Sequence, residues 1–100
     1  MMLRRIDFED AKLIVELGPG TGVITDEVIK QLKPNTQLLV IELNDTFYKD
    51  LKTRISDPRV TIRKGCATDL PLFIHALGME KADYIVSSLP LAILPHTLRK

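Results

Sequence analysis

Glu16, Gly18, Gly20 and Gly22 share one short run, Leu13-Ile14-Val15-Glu16-Leu17-Gly18-Pro19-Gly20-Thr21-Gly22. Alternate glycines let a backbone take positive φ and, having no Cβ, let a flat ligand lie directly on the main chain. The apolar run before them reads as a buried strand, and the segment after them opens a helix whose first N–H groups face the same turn. This arrangement suits a nucleoside cofactor. A dinucleotide fingerprint wants a third small residue where this chain has Val23, and a Walker loop wants Lys and then Ser or Thr after the last glycine, where Val23 and Ile24 stand. Both phosphate-binding readings fail.

Glu42 is the second residue with chemistry to offer. It ends the apolar run Leu38 to Ile41, about 20 residues after Gly22. Ligands of open parallel sheets sit beyond the carboxyl ends of the strands, and a carboxylate there can accept hydrogen bonds from both hydroxyls of a ribose. Cys66 is the only cysteine, so an internal disulfide and a structural zinc site are excluded, and it reads as a small pocket-wall or buried thiol. His75, within Phe73-Ile74-His75-Ala76-Leu77, reads as a partly buried packing residue. His96 reads as a solvated loop residue. No metal site is expected.

The elements that must position these residues follow one rhythm. Apolar, β-rich runs begin near Leu13, Gln37, Val60 and Tyr84, about 24 residues apart, which accommodates a strand, a helix and two turns. Their nearly continuous apolar character fits parallel strands buried on both faces. In the first intervening helix, Val23, Ile24, Val28, Ile29 and Leu32 are expected on one side, with Asp26, Glu27, Lys30 and Lys33 on the other, before Lys33-Pro34-Asn35 ends it. Asn44 to Ile55 is expected to be a second helix, capped by Asn44 or Asp45, burying Phe47, Leu51 and Ile55. Val60 to Ile62, Leu70 to Leu77 and Ala82 to Ser87 read as strand, helix and strand.

Composition narrows the class. The chain has 100 residues, 45% of them hydrophobic, the size of one small domain. Lys and Arg (14) barely exceed Asp and Glu (13) and are scattered, so no polyanionic partner is demanded. No apolar run is long enough to span a bilayer, and Met1-Met2-Leu3-Arg4-Arg5-Ile6-Asp7 turns charged too early for a secretory signal. The expected location is cytoplasmic, with peripheral membrane contact allowed.

The run Glu16-Leu17-Gly18-Pro19-Gly20-Thr21-Gly22 resembles motif I of the class I S-adenosylmethionine-dependent methyltransferases. The resemblance extends from about Lys12 to Pro95. It implies an α/β fold, a Rossmann-like parallel sheet in the order 3-2-1-4 with flanking helices. It also implies S-adenosyl-L-methionine as cofactor, held by Glu16, Gly18, Gly20, Thr21, Gly22, Glu42, Cys66, Ala67 and Ser87. After the third strand the family pattern Gly-Asp-Ala becomes Gly65-Cys66-Ala67-Thr68-Asp69, so adenine would be held by backbone groups at Cys66 and Ala67, or by Asp69 from a rearranged loop.

The segment Asp83-Tyr84-Ile85-Val86-Ser87-Ser88-Leu89-Pro90-Leu91 resembles motif IV, which implies that Ser88, Leu89 and Pro90 orient the methyl acceptor. Ribosomal RNA adenine dimethyltransferases carry Asn-Leu-Pro-Tyr here. Ser88 and Leu91 replace the amide and the ring that an adenine pocket would use, so Ser87-Ser88-Leu89-Pro90-Leu91 is closer to the bacterial phospholipid N-methyltransferases. A phospholipid-type amine is therefore the favoured acceptor, adenine of ribosomal RNA the alternative, and a cofactor-binding module or fragment without turnover the third reading. The family resemblance implies a larger sheet, so residues 1–100 are expected to form the cofactor-binding half of a domain. The edge strand near Tyr84 is expected to invite pairing with another copy.

Overall fold

The computed structural model describes residues 8–87. Four parallel strands, β1 (Leu13–Leu17), β2 (Gln37–Glu42), β3 (Val60–Lys64) and β4 (Tyr84–Ser87), form one sheet in the order β3-β2-β1-β4. Helices α1 (Val23–Gln31), α2 (Asp45–Arg54) and α3 (Leu70–Ala76) connect them, and a single 3-10 turn at Ala67–Asp69 precedes α3. Both the strand order and the alternation of elements agree with the sequence reading.

Strand periodicity divides the core into two layers. Ile14, Leu38, Val40, Ile62 and Val86 point to one face, where Val28 and Leu32 from the first crossover and Leu51 from α2 cover them. Leu13, Val15, Leu17, Leu39 and Ile41 point to the other face, under Leu70 and Ile74 of α3. Every residue of β1 is buried, as a central parallel strand requires. The register pairs Leu17 with Ile41 on one side and Ser87 on the other. Gly18, Glu42 and Ser87 therefore gather at the carboxyl end of the sheet.

Local chemistry sets the boundaries. Gly22 caps α1 in the left-handed region with φ 90°, and Leu32 ends that helix in extended conformation ahead of Lys33-Pro34. Asn44 caps α2, its Oδ1 accepting from Phe47 N at 3.0 Å. β3 runs on to Lys64 with Arg63 and Lys64 exposed, the charged treatment usual for an edge strand. β4 starts at Tyr84 rather than Ala82, with Asp83 just before it joined to β1 through both backbone and side chain, Asp83 N donating to the Leu13 carbonyl at 2.8 Å. The Asp83 carboxylate accepts from Lys12 N at 2.7 Å and Leu13 N at 3.0 Å, closing the amino end of β1.

The apolar side of α1 departs from expectation. Val23 is 73% exposed, while Thr25 is fully buried beside Val28. A buried carboxylate at Glu16 needs a donor, and Thr25 supplies it, so the helix turns its Thr25–Val28–Leu32 side inward. In α2 only Leu51 is fully buried; Phe47 is exposed and Ile55 half-buried. Among the described residues no helix is long and apolar enough to cross a membrane.

Hydrogen bonds from the Leu13 and Lys12 amides hold the Asp83 carboxyl below the usual carboxylate range. Stability from such a group is present above its unfolded value of 3.8 and is lost as pH falls through the lower folded value. Asp83→Ala should cost about 2 kcal/mol at neutral pH in urea unfolding, and the difference from wild type should shrink on acidification.

Candidate cofactor site

The site is a loop of glycines held from the neighbouring strand. Gly18, Gly20 and Gly22 have φ of 65°, 59° and 90°, all in the left-handed region where a side chain is strained. Because β1 and β2 run in parallel register, the loop leaves β1 beside the end of β2. There Gly18 N donates to the Ile41 carbonyl at 3.0 Å, and Gly20 N donates to Oε1 of Glu42 at 2.9 Å. Oε2 of Glu42 accepts from Asn44 N at 2.8 Å, so one carboxylate ties the glycine loop to the start of α2.

Gly20 and Gly22 differ in what lies beside them. Nothing comes within 4 Å of the place a Cβ would take at Gly20, so its backbone faces open space. A Cβ at Gly22 would collide with the Arg54 guanidinium and with a Leu51 methyl. Gly22 N is also used, donating to Pro19 O at 3.0 Å. The spacing that grouped Gly22 with the ligand-facing glycines concealed its packing against α2.

Glu16 lies fully buried below the loop. One carboxylate oxygen, Oε1, accepts a short hydrogen bond from the Thr25 hydroxyl, and Oε2 is buried with no partner among the described residues. Burial pushes the carboxyl up to about 7, against the Thr25 hydrogen bond that lowers it, and the Asp26 and Glu42 carboxylates push the same way as burial. A buried carboxylate lacking a second partner among the described residues, beneath a loop whose Gly20 backbone faces open space, favours a cationic ligand group at this end of the sheet. With the open carboxyl end of the sheet, these residues fit an adenosyl sulfonium cofactor.

The other expected site residues are placed less uniformly. Ser87 stands at the carboxyl end of β4, half-buried and level with Leu17. Thr21 is exposed and its carbonyl accepts from Arg54. Cys66 is exposed instead of forming a buried wall, because it caps the 3-10 turn at the surface, where hydrogen bonds from Thr68 pull its thiol below the ordinary range. Ala67 is half-buried at the start of that turn. His75 is exposed on the outer side of α3 rather than packed, since Leu70 and Ile74 supply the buried side. Ser88, Leu89, Pro90 and His96 lie outside the described residues.

Sequence reasoning missed three contributors. Thr25 carries no periodic signal and is recognisable only once Glu16 is known to be buried. Leu43, 66% exposed and next to Glu42, is an apolar side chain left at the rim of the sheet. Arg54 reaches Thr21 and Asp26 from a distant helix.

The Glu16 carboxyl makes a pH signature. Its folded value lies above the unfolded 4.5, so the folded state binds more protons between them, and stability falls as pH rises from about 4.5 to about 7. Glu16→Gln should flatten that slope and make the protein more stable than wild type at pH 8 by up to about 3 kcal/mol, with little difference at pH 4.5. Urea unfolding at the two pH values measures both.

Comparison with known proteins places this geometry in a family. The sequence profile described as ribosomal RNA adenine dimethylase matches residues 2–92. Ornithine lipid N-methyltransferase of Singulisphaera acidiphila is 32% identical over 99 residues, covering 98% of this chain and 52% of that protein. Ribosomal RNA small subunit methyltransferase A of Mycoplasma capricolum is 28% identical, covering 95% of this chain and 35% of that protein. The chain thus spans about half or less of the length of these relatives. Among solved structures, the O-methyltransferase TomG of Streptomyces achromogenes, determined with S-adenosylmethionine, aligns with a TM-score of 0.63 at 22% identity over 79% of this chain and 37% of that one. The methyltransferase domain of a bacterial Hen1 aligns with a TM-score of 0.64 at 13% identity over 97% of this chain and 51% of that one. The glycine loop and the 3-2-1-4 sheet are therefore those of a Rossmann-like methyltransferase fold, and the chain belongs to the ribosomal RNA adenine dimethylase family.

Proposed function

We propose that residues 1–100 form the S-adenosylmethionine-binding half of a methyltransferase domain that transfers a methyl group to an amine nitrogen, with a phospholipid-type acceptor favoured. The observation that carries this reading is the open backbone at Gly20, held by the Glu42 carboxylate, with the buried Glu16 carboxylate at the end of the strand that leads into the loop. A carboxylate has about four lone-pair sites, and Glu42 spends two of them on Gly20 and Asn44. The remaining two suit the paired hydroxyls of a ribose. Glu16, when ionised, offers negative charge from beneath the loop to the cationic amino-acid end. Leu43 offers an apolar wall to the adenine ring, and backbone groups at Cys66 and Ala67 offer hydrogen bonds to its edge.

When bound, the sulfonium supplies a methyl already activated for transfer, so the protein's task is alignment and exclusion of water. In this reading Ser88, Leu89 and Pro90 orient the acceptor amine after its proton is lost, and Ser87 lines the cofactor side. The acceptor preference is supported by the 32% identity to ornithine lipid N-methyltransferase and by the Ser87-Ser88-Leu89-Pro90-Leu91 segment. Methylation of ribosomal RNA adenine is the second reading, favoured by the family profile and by the mycoplasma relative. Further strands pairing with the edge at β4 would complete the sheet, supplied by the same polypeptide or by a second copy.

Calorimetric titration with S-adenosylmethionine and S-adenosylhomocysteine tests the cofactor. Wild type should bind both, Gly20→Val neither, and Glu42→Ala should lose about tenfold in affinity or more. No heat of binding with wild type refutes the cofactor reading. Labelled-methyl incorporation should be seen with phosphatidylethanolamine vesicles and not with ribosomal RNA; the reverse pattern selects the second reading.

A further inference from the structure

The contact between Arg54 and the glycine loop is used neither by the sheet nor by the ligand-facing carboxylates. Arg54 sits in the last turn of α2, and its side chain reaches α1 and the loop that opens it. Nη1 donates to both carboxylate oxygens of Asp26, at 2.9 and 3.1 Å, and Nη2 donates to the Thr21 carbonyl at 3.0 Å. The same guanidinium occupies the space where a Cβ of Gly22 would stand. One planar group thus spans the loop carbonyl, the first turn of α1 and the flat face left by a glycine, which a Lys ammonium cannot do at once.

We infer that Arg54 is a positioning residue for the cofactor loop, and that Gly22, whose φ of 90° already calls for glycine, also leaves the space that this guanidinium fills. The loop bends at three left-handed glycines and has little side-chain packing of its own, so its shape depends on hydrogen bonds from outside. Glu42 holds its middle at Gly20. Arg54 holds its far end at Thr21 and ties it to Asp26 of α1. Both side chains of the ion pair are well exposed, 39% for Arg54 and 48% for Asp26, so the pair adds little to global stability. Its effect falls on the local opening of residues 18–22.

Amide hydrogen exchange on the ligand-free protein tests the clamp without reference to any cofactor. In Arg54→Met the Gly20 and Gly22 amides should exchange about tenfold faster while those of β2 stay unchanged, with Arg54→Lys intermediate and Asp26→Asn in the same direction as Met. Unchanged exchange in the folded Arg54 variants would overturn the inference.

The link to the ligand rests on the proposed cofactor, and titration with S-adenosylmethionine reads it separately. Arg54→Met should bind at least fivefold more weakly than wild type, with a melting temperature close to that of wild type. Faster exchange with undiminished affinity would overturn the ligand role. Failure of wild type to bind would refute the cofactor reading while the exchange rates still judge the clamp.

Discussion

The hydrogen bond from Gly20 N to the Glu42 carboxylate is the contact on which the candidate site depends. A loop that bends at three glycines has few side chains with which to hold itself in place, and glycines that can take many conformations are fixed in one only when neighbours specify it. β2 provides that specification twice, through the Ile41 carbonyl at Gly18 and the Glu42 side chain at Gly20. Both contacts exist because β1 and β2 end in register, with Leu17 level with Ile41. The crevice is thus a consequence of sheet geometry, and its shape is set before any ligand arrives.

The two carboxylates of the site divide the work by environment. Glu42 is satisfied by two backbone donors and so holds structure together at the rim. Glu16 is fully buried with one oxygen unpartnered, an arrangement that costs stability whenever the group is charged. The carboxylates of Asp26 and Glu42 add to that cost. The same concentration of negative charge makes this end of the sheet favourable for a cation. Arg54 offsets part of it at Asp26.

Stability and binding are consequently placed in different parts of the molecule. Two apolar layers on either side of the central strand β1 carry the fold. The carboxyl end of the sheet carries the loop, the polar groups and the exposed Val23 and Leu43 side chains. On the proposed reading, changes at this rim would affect the ligand more than the core, apart from Glu16, which belongs to both.

Much of this was legible in the sequence. The four apolar runs located the strands, Asn44 marked the start of α2, and the glycine loop and Glu42 meet at the carboxyl end of the sheet as their positions implied. Ile24, Val28, Ile29 and Leu32 of the first crossover pack inward as their spacing implied, but Val23 does not and Thr25 does, and Thr25 is easily missed because it looks polar until the carboxylate it serves is known to be buried. His75 looked like a packing residue among apolar neighbours, yet it faces solvent because Leu70 and Ile74 already fill that layer, and Cys66, read as a pocket-wall or buried thiol, is exposed at the start of the 3-10 turn. Strand periodicity, turn chemistry and capping act between residues close in the chain, so sequence alone determined the elements and where the ligand edge lies. The meeting of Glu16 with Thr25, of Glu42 with Gly20, and of Arg54 with Asp26 and Gly22 was decided only by tertiary structure, since these partners belong to different elements and are joined by packing rather than by sequence spacing.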